Sequence, residues 1–480
     1  MTNSQRGKTK IVCTLGPSTQ TVEMLVSMIH AGMDVARLNL SHGTHQDHSM
    51  RIRNLREASR LTGEEVAILL DLQGPKIRIG SFMTPFVELK PGAPFVITTD
   101  PVVGDEGRAC TSYANLPADV HVGDQILIDD GRIRLRVLSV DGKDVMCNVE
   151  VGGPLSANKG INLPGVAVSA PSITEKDLSD LEFGLDNDVD YVALSFVRSA
   201  EDIRTLQRAI IDRIAKGKFL PIIAKIEKPQ AIDNIDAIIA ESDGIMIARG
   251  DLGVELSPED VPILQKIITT KCNETGKPVV IATQMLESMI GSPTPTRAEA
   301  SDVANAVLDG GDAVMLSGET SIGKYPLEAV QLMSRIALKV EAEHHGGRRI
   351  LDRPLGVVES RLDALGRAAC VLAEQMNAAA IVCVTHTGST AKVLSRYRPQ
   401  PQVVAVTTRE KILRRLKLVW GINGFVIDNL EDDSDKALSA IQNKLIDSGL
   451  VRRGEYVVLL AGQPFFARGS TNFIKVEKIE

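Results

Sequence analysis

The fold of this chain is constrained most by a repeat in which a short apolar run is followed by a helix-like segment. Helical patterns such as those of residues 22–31 and 301–308 lie between most of the apolar runs. Alternating strands and helices favour a parallel sheet, and eight strands predict an α/β fold built on a closed (β/α)8 barrel, or TIM barrel. The eight apolar runs cover residues 11–15, 35–38, 66–70, 191–194, 222–226, 245–248, 279–282 and 313–316.

The third and fourth apolar runs are separated by a long segment of different character. Residues 74–170 alternate between apolar and polar side chains, as at 133–137, and are rich in glycine and proline. This pattern predicts an inserted all-β domain, a small β-barrel, that closes over the catalytic end of the main barrel as a lid. The catalytic barrel then comprises residues 1–73 and 171–345, close to the roughly 250 residues of a single barrel.

The remainder of the chain, residues 346–480, predicts a C-terminal α/β domain. Apolar runs again alternate with helical segments, which is typical of an open, largely parallel sheet. The predicted strands cover residues 381–384, 403–406, 425–427 and 456–460.

Composition excludes several classes of protein. The 480 residues are 44% hydrophobic and 24% charged, a soluble globular balance, and the net charge of −7 argues against a nucleic-acid binder. No segment approaches the roughly 18 apolar residues of a membrane helix, and the polar N-terminus shows no secretory signal. The six scattered cysteines form no C-x-x-C pair. We therefore expect a cytoplasmic protein with reduced thiols that binds neither membrane nor nucleic acid.

The most informative chemistry lies at the end of the fifth apolar run. Lys225 and Glu227 are two residues apart, so on a strand they face the same side. Asp251 follows the next run. Two carboxylates can hold a divalent cation that keeps positions for water and phosphate, and a lysine beside it can stabilise a phosphoryl group or an enolate. The alternative is a strand-end salt bridge with a nearby surface aspartate.

Similar polar groups follow most of the other barrel strands, where they are expected to converge on one pocket. Taken singly, each could be a helix cap or a rim ion pair. Taken together, they suit a phosphorylated carboxylic acid bound to a metal ion, without specifying one reaction. These groups are Arg37, Asn39, Ser41, His42, Asp71, Ser195, Arg198, Arg249, Thr283, Gln284 and the segment 317–320.

Several of these stretches resemble pyruvate kinases. The similarity extends from residue 8 through the last strands, and it matches a three-domain order of barrel, inserted lid and C-terminal domain. The stretches are KTKIVCTLGP (8–17), NLSHG (39–43), DLQGPKIR (71–78), IARGDLG (247–253), ATQMLESM (282–289), PTRAE (295–299) and MLSGET (315–320).

The resemblance implies transfer of phosphate from phosphoenolpyruvate to ADP, giving pyruvate and ATP. It implies that Lys225, Arg37 and Thr283 are catalytic, and that Glu227 and Asp251 bind Mg²⁺ or Mn²⁺. The substrate would also contact Arg249, Gly250 and Asp251. The nucleotide would be reached by Asn39, His42, Arg78 and Lys159, although Lys159 could be an ordinary solvated hinge lysine. The family's K⁺ ligands correspond to Asn39, Ser41, Asp71 and Leu72.

One position departs from the commonest family pattern. Lys76 stands where many members have a glutamate, a swing of two charge units. An ammonium there could replace the field of K⁺ and repel the free ion, since like charges about 4 Å apart cost roughly 4 kcal/mol near a protein surface. We therefore predict an enzyme that does not need K⁺. The retained Asn39, Ser41 and Asp71 argue mildly against this, and a solvated, irrelevant Lys76 is the alternative.

A second phosphate-type site is predicted in the C-terminal domain. Residues 385–390 follow a predicted strand and precede a helical segment at 391–397, and such a loop is either an anion site or a helix cap. The resemblance implies that it binds an allosteric activator, a sugar monophosphate or AMP, within a homotetramer. The predicted effector ligands are Thr385, Thr387, Gly388, Ser389, Thr390 and, unless it is merely solvated, Arg468.

Two other functions remain open from the residues alone. The first is a lyase or aldolase in which Lys225 forms a Schiff base. The adjacent Glu227 and Asp251, together with Arg37, argue against it. The second is a metabolite sensor in which the barrel is only a scaffold. A sensor would not need the catalytic-type residues Lys225, Glu227, Asp251 and Thr283, which argues against this function.

Overall fold

A computed structural model describes residues 6–213, 219–343, 360–427, 434–462 and 471–480. Eight parallel strands close into a barrel in which the first strand pairs with both the second and the last. The predicted barrel is thereby confirmed. Its strands are Lys10–Thr14, Val35–Asn39, Ala67–Asp71, Tyr191–Leu194, Ile222–Ile226, Gly244–Ala248, Val279–Ala282 and Ala313–Leu316.

The strands are almost continuously apolar because both of their faces are buried. One set of side chains, which includes Val12, Val35 and Met246, fills the barrel interior. The alternate set, which includes Ile11, Ile68 and Ile245, packs beneath the surrounding helices. This rigid wall fixes the positions of the polar residues that follow each strand.

The helices around the barrel begin where the local sequence caps them. The predicted helix at 301–308 begins earlier, at Arg297, because Thr296 and Glu299 form a capping box. The barrel helices are Val22–Ala31, His45–Thr62, Glu175–Asp186, Ala200–Ile211, Pro229–Asp233, Ile235–Glu241, Arg249–Glu255, Val261–Thr275, Arg297–Leu308, Gly318–Ser321 and Pro326–Glu343, with 3-10 turns at Pro17–Thr19 and Glu287–Ile290.

The insert between the third and fourth barrel strands is a β domain with its own apolar core. Hydrogen bonding divides its strands between a six-stranded and a two-stranded sheet, and one short helix, Leu116–Asp119, interrupts them. The strands are Phe86–Leu89, Pro94–Thr98, Arg108–Cys110, Gln125–Ile128, Ile133–Asp141, Asp144–Val151, Gly153–Ser156 and Ile161–Asn162.

The C-terminal domain has a five-stranded sheet, one strand more than predicted. The added strand, Phe473–Lys478, pairs antiparallel with Tyr456–Ala461 at one edge. The strand predicted at 425–427 runs from Ile422 to Val426. Position 424 in this strand requires glycine, because a Cβ there would lie 2.3 Å from the carbonyl oxygen of Ala405. The other strands are Ala380–Val384 and Gln402–Thr407, and the helices are Arg361–Gln375, Ser389–Arg396, Glu410–Leu416 and Ser434–Asp447.

The described residues contain neither a helix suited to cross a membrane nor a disulfide. No helix among them combines the length and apolar character needed to cross a membrane. All six cysteines are free thiols, and every one except Cys110 is buried. The cysteines therefore add no cross-link to the three cores.

Candidate active site

The centre of the site is the ammonium group of Lys225, at the end of the fifth barrel strand. It lies 2.8 Å from Glu227 Oε1 and 3.3 Å from Asp71 Oδ1, and it donates a hydrogen bond of 2.7 Å to Ser195 Oγ. Burial alone lowers the pKa of Lys225, but the charges of Asp71 and Glu227 outweigh burial and hold the net pKa well above the ordinary lysine value. Lys225 is therefore a fixed cation.

Asp71 joins this lysine to a second cation, Arg37. The Nε atom of Arg37 donates to Asp71 Oδ2 at 2.6 Å, and another guanidinium nitrogen donates to Thr14 Oγ1 at 3.0 Å. Burial raises the pKa of Asp71, but the positive charges of Lys225 and Arg37 outweigh burial and hold the net pKa below the ordinary value. The carboxylate therefore stays ionised. The parallel register that pairs Asn39 with Asp71 brings these groups to the same rim.

The two candidate metal ligands, Glu227 and Asp251, come from adjacent strand ends. Glu227 is 2% exposed, and its Oε2 accepts a hydrogen bond of 2.7 Å from the backbone N–H of Phe196. Burial raises the pKa of Glu227, and the charge of Asp251 raises it further. The carboxylate of Asp251 makes no hydrogen bond or ion pair within the described chain. A buried carboxylate beside a free one is a donor set that fits a hard divalent cation.

No larger metal cluster exists in the part of the chain that the structure describes. No group of three or more His, Cys, Asp or Glu side chains there is placed to hold a metal ion. A site of two carboxylates leaves the remaining coordination positions to water and substrate oxygen, as Mg²⁺ prefers.

Arg249 holds together the residues expected to bind a substrate carboxylate. Its guanidinium donates to the Thr283 carbonyl oxygen at 2.8 Å and forms an ion pair with Asp302 at 2.8 Å. The backbone N–H of Gly250 donates to Thr283 Oγ1 at 2.7 Å. Thr283 has a φ of +68° and Gln284 one of +54°, a strained pair for residues with side chains. The backbone is thus bent to present Thr283 to the site.

A cleft with an empty volume of about 610 Å³ separates the lid from the barrel rim, and Lys76 and Asp251 are among the residues that line it. Two of the four predicted nucleotide residues, Arg78 and Lys159, lie at the base of the lid, whereas Asn39 ends the second barrel strand and His42 follows it. Arg78 donates to the Asn158 carbonyl oxygen at 2.9 Å, and Lys159 pairs with Asp129 at 2.8 Å. In this structure both side chains are engaged by the lid itself.

Three of the four residues in the K⁺-type set, Asn39, Asp71 and Leu72, already have partners for their oxygens. Asn39 Oδ1 accepts from the Ser41 N–H at 3.1 Å, and the Leu72 carbonyl oxygen accepts from Ser195 Oγ at 2.8 Å. Both oxygens of Asp71 face cations.

The exposed Lys76 has no ion pair or side-chain hydrogen bond within the described residues. Burial lowers the pKa of His42, and the charges of Arg78, Lys76 and Arg37 lower it further. The nearby field is therefore positive.

Two predicted members of the pocket also bind backbone groups. Arg198 donates to the backbone carbonyl oxygens of Val168 and Ala170 at 2.5 and 2.9 Å, and so fastens the segment that returns from the lid to the barrel. Glu319, in the segment 317–320, accepts hydrogen bonds from the backbone N–H groups of Leu286 and Ser317. Arg198 nevertheless lines the cleft beside Lys76 and Asp251, so its place in the pocket stays a prediction, as does that of the segment 317–320.

Sequence reasoning also missed two groups of residues at the site. Phe196, with a φ of +55°, supplies the N–H that orients Glu227. Asp302 and Gln265 hold Arg249 from two different helices. No local sequence pattern predicts contacts between residues so far apart in the chain. The position of Arg249 at the start of a helix does indicate that it needs a counter-charge, because a cation is unfavourable there.

The predicted effector loop lies between a strand and the helix Ser389–Arg396. Thr385 Oγ1 accepts from the Gly388 N–H at 2.9 Å, and the hydroxyls of Thr387 and Ser389 share a hydrogen bond of 2.7 Å. Gly388 has a φ of +87°, and Thr390 Oγ1 lies 2.9 Å from Thr471 Oγ1. Arg468 lies outside the described residues.

Comparison with known proteins identifies two matching family models that together cover most of the chain. The model described as the barrel domain of pyruvate kinase matches residues 6–330, and that of its alpha/beta domain matches residues 363–477.

Individual relatives agree with these models. The pyruvate kinase of Mycobacterium intracellulare is 46% identical over 99% of both chains. That of Geobacillus stearothermophilus is 46% identical over 98% of this chain and 80% of its own. A crystal structure of a pyruvate kinase from Cryptosporidium parvum has a TM-score of 0.93 at 38% identity, and the match covers 99% of this chain and 97% of that one.

Proposed function

Since this chain belongs to the pyruvate kinase family, it transfers the phosphoryl group of phosphoenolpyruvate to ADP, and we propose that the network around Lys225 carries out this transfer. The observation that carries the proposal is the buried Lys225 ammonium, 2.8 Å from Glu227 and 3.3 Å from Asp71. The network places fixed positive charge beside a divalent-cation ligand, which is what a phosphoryl group in transit requires.

Arg37 and Lys225 act together on the phosphoryl group. Asp71 holds the two cations on opposite oxygens of one carboxylate, and the Arg37 guanidinium keeps N–H groups for substrate oxygens. Because this arrangement exists before substrate binds, little reorganisation opposes the reaction. Lys225 stays protonated throughout, since its pKa is raised.

Glu227 and Asp251 would hold Mg²⁺ or Mn²⁺, and pyruvate kinases in general use Mg²⁺ together with K⁺. When bound, the ion would supply positive charge that stabilises the negative charge of the phosphoryl group and the enolate. The Phe196 N–H fixes the orientation of the Glu227 carboxylate. A second divalent ion would arrive with the nucleotide.

The carboxylate of phosphoenolpyruvate would lie at the start of the helix Arg249–Glu255. The Gly250 backbone and Thr283 Oγ1 are in hydrogen-bond contact there, and Arg249 fixes both segments. Thr283 would also lie on the route by which the enolate gains its proton. The nucleotide would bind at Asn39, His42, Arg78 and Lys159 beneath the lid.

The chain would need no K⁺. Its Asn39, Asp71 and Leu72 oxygens already have partners, and Lys76 adds a free ammonium to the positive charges of Arg78 and Arg37 around His42. A mobile monovalent cation there would meet repulsion of roughly 4 kcal/mol at about 4 Å from the ammonium.

The C-terminal loop would bind a phosphorylated activator, a sugar monophosphate or AMP, in a homotetramer. Hydroxyls and a glycine at the start of an eight-residue helix suit a phosphate group. Assembly is supported by exposed apolar side chains on two neighbouring barrel helices, where Ile263 is 59% exposed, Ile267 45% and Leu308 43%.

A coupled assay with phosphoenolpyruvate, ADP and Mg²⁺ tests the proposal, with Lys225→Met as the variant. Turnover by the wild type and its loss in the variant are expected. The Schiff-base alternative is disfavoured because such a lysine needs a lowered pKa, whereas that of Lys225 is raised. Borohydride trapping of a keto substrate on Lys225 would contradict the proposal.

A further inference from the structure

Three side chains join the lid to the barrel beside the candidate metal ligands. Glu255 Oε1 accepts hydrogen bonds from Lys228 Nζ at 2.5 Å and from Asn162 Nδ2 at 2.9 Å. Glu255 is 6% exposed, and its other oxygen, Oε2, has no hydrogen-bond partner in the described chain. A buried carboxylate is costly unless it is paired, so this arrangement is held by its two donors.

Both ends of the ion pair sit next to a candidate metal ligand. Lys228 directly follows Glu227 in the chain, and Glu255 lies one helical turn after Asp251 in the helix Arg249–Glu255. The pair therefore ties together the two segments whose separation sets the distance between the carboxylates. The Lys228 ammonium also lies 5.7 Å from the centroid of the Phe196 ring, whose residue orients Glu227.

Asn162 brings the lid into the same network. It belongs to the short strand Ile161–Asn162, which pairs with Gln125–Ile128 in the six-stranded sheet of the lid. The contacts of Arg198 with Val168 and Ala170, by comparison, end on backbone carbonyl oxygens where the lid returns to the barrel. Asn162 instead shares one oxygen with the ion pair that flanks the metal ligands.

We propose that Asn162, Lys228 and Glu255 form a clasp that makes the position of the lid depend on the geometry of the divalent-cation site. These are positioning residues, and the inference rests on the proposed role of Glu227 and Asp251. When the ion pair is formed, the two carboxylates are held at one separation, and Glu255 Oε1 is placed where Asn162 can reach it. A metal ion that fixes that separation then favours the lid position seen here.

The first test measures binding of Mn²⁺ without substrate, by electron paramagnetic resonance. Lys228→Met and Glu255→Gln should each weaken Mn²⁺ binding about tenfold, the lower end of the range for residues that orient metal ligands. Lys228→Arg, which keeps the ion pair, should restore most of the affinity. Wild-type affinity in Lys228→Met would overturn the clasp.

The second test follows backbone hydrogen exchange in residues 161–170 of the lid. In the wild type, Mg²⁺ with phosphoenolpyruvate should slow this exchange. Asn162→Ala should lose most of the slowing and raise the KM for ADP about threefold to tenfold, the worth of one hydrogen bond, while Mn²⁺ binding stays unchanged. Unaltered slowing in Asn162→Ala would overturn the link to the lid.

Glu150→Gln is the matched control. It breaks an ion pair of 2.7 Å with Arg136, also within the lid. Glu150→Gln should behave as wild type in both tests. If it changed Mn²⁺ binding or hydrogen exchange as much as the clasp variants do, the proposal would be overturned, because any loosening of the lid would then have the same result. Glu227→Gln distinguishes failure of the proposed metal site from failure of the clasp. If Glu227→Gln leaves Mn²⁺ binding intact, both the proposed metal site and the clasp are wrong. If Glu227→Gln weakens Mn²⁺ binding but Lys228→Met leaves it intact, only the clasp is wrong.

Discussion

The rim of the barrel and the loop of the C-terminal domain present polar groups in opposite ways. At the barrel rim, Lys225 is buried between two carboxylates and a hydroxyl. In the loop, the contacts of Thr385, Thr387 and Ser389 join hydroxyls to one another and to backbone N–H groups. Fixed charges on rigid strands suit transition-state stabilisation, whereas neutral donors at a helix start suit reversible binding of an anion.

The difference also appears in what each region costs the fold. Removing one partner of a buried ion pair leaves an uncompensated charge, at about 3–5 kcal/mol. A loop hydroxyl can be removed for the cost of about one neutral hydrogen bond, roughly 1 kcal/mol. Variants of the barrel rim should therefore affect catalysis and lower stability considerably, whereas variants of the loop should affect regulation at a small cost in stability.

The largest expected effect is that of Lys225→Met on turnover. Loss of the ammonium should lower kcat about 10²–10³-fold, as for other preorganised electrostatic groups. The variant should be less stable than the wild type but still fold, because Arg37 still pairs with Asp71 and Glu227 still accepts the Phe196 N–H. Steady-state kinetics and circular dichroism measure the two quantities. Activity within about tenfold of wild type would break the comparison, since the rim would then contribute no more than a single loop contact.

Next in size are Glu227→Gln and Asp251→Asn, which should each weaken binding of Mg²⁺ or Mn²⁺ sharply. Each variant removes one charged oxygen ligand and leaves the other, so activity should recover in part at high metal concentration. Activity titrated against Mg²⁺ measures the shift. Full activity at ordinary Mg²⁺ concentrations would show that the pair is not the metal site.

A smaller effect concerns the monovalent cation. The wild type should be equally active in tetramethylammonium or Tris buffers with K⁺ and NH₄⁺ excluded, because the Lys76 ammonium supplies the positive field. Lys76→Glu should create a dependence on K⁺. A many-fold rise of wild-type activity on addition of KCl would contradict this account.

The smallest effect on basal turnover belongs to the loop. Thr385→Ala combined with Ser389→Ala should leave activity without activator near the wild-type value, and should abolish activation by sugar monophosphates or AMP. The comparison is sharpened if activation alone is lost. Unchanged activation by every phosphate metabolite tested would show that the loop is only a helix cap.

The eight barrel strands could be predicted because each is an apolar run bounded by polar residues. The strands Tyr191–Leu194, Ile222–Ile226, Val279–Ala282 and Ala313–Leu316 were predicted with the same bounds. The convergence of Lys225, Glu227 and Asp71 was also predictable, because parallel strands of a barrel end at one rim.

Other features could not be predicted because their causes are not local. The left-handed backbone of Phe196 and Thr283 is imposed by surrounding structure, and no residue preference signals it. Arg249 pairs with Asp302 across 53 positions of sequence. The final strand, Phe473–Lys478, was missed because its pairing partner lies across a long connection and its charged residues hide the apolar alternation.

The most direct test of the account is phosphoryl transfer measured without any effector in three proteins side by side. Wild type, Lys225→Met and the double variant Thr385→Ala/Ser389→Ala would be supplied with phosphoenolpyruvate, ADP and Mg²⁺. The account predicts equal formation of pyruvate and ATP by the wild type and the loop variant, and a loss of about 10²–10³-fold in Lys225→Met. Turnover by Lys225→Met at the wild-type rate would contradict the claim that the network around this lysine carries the reaction.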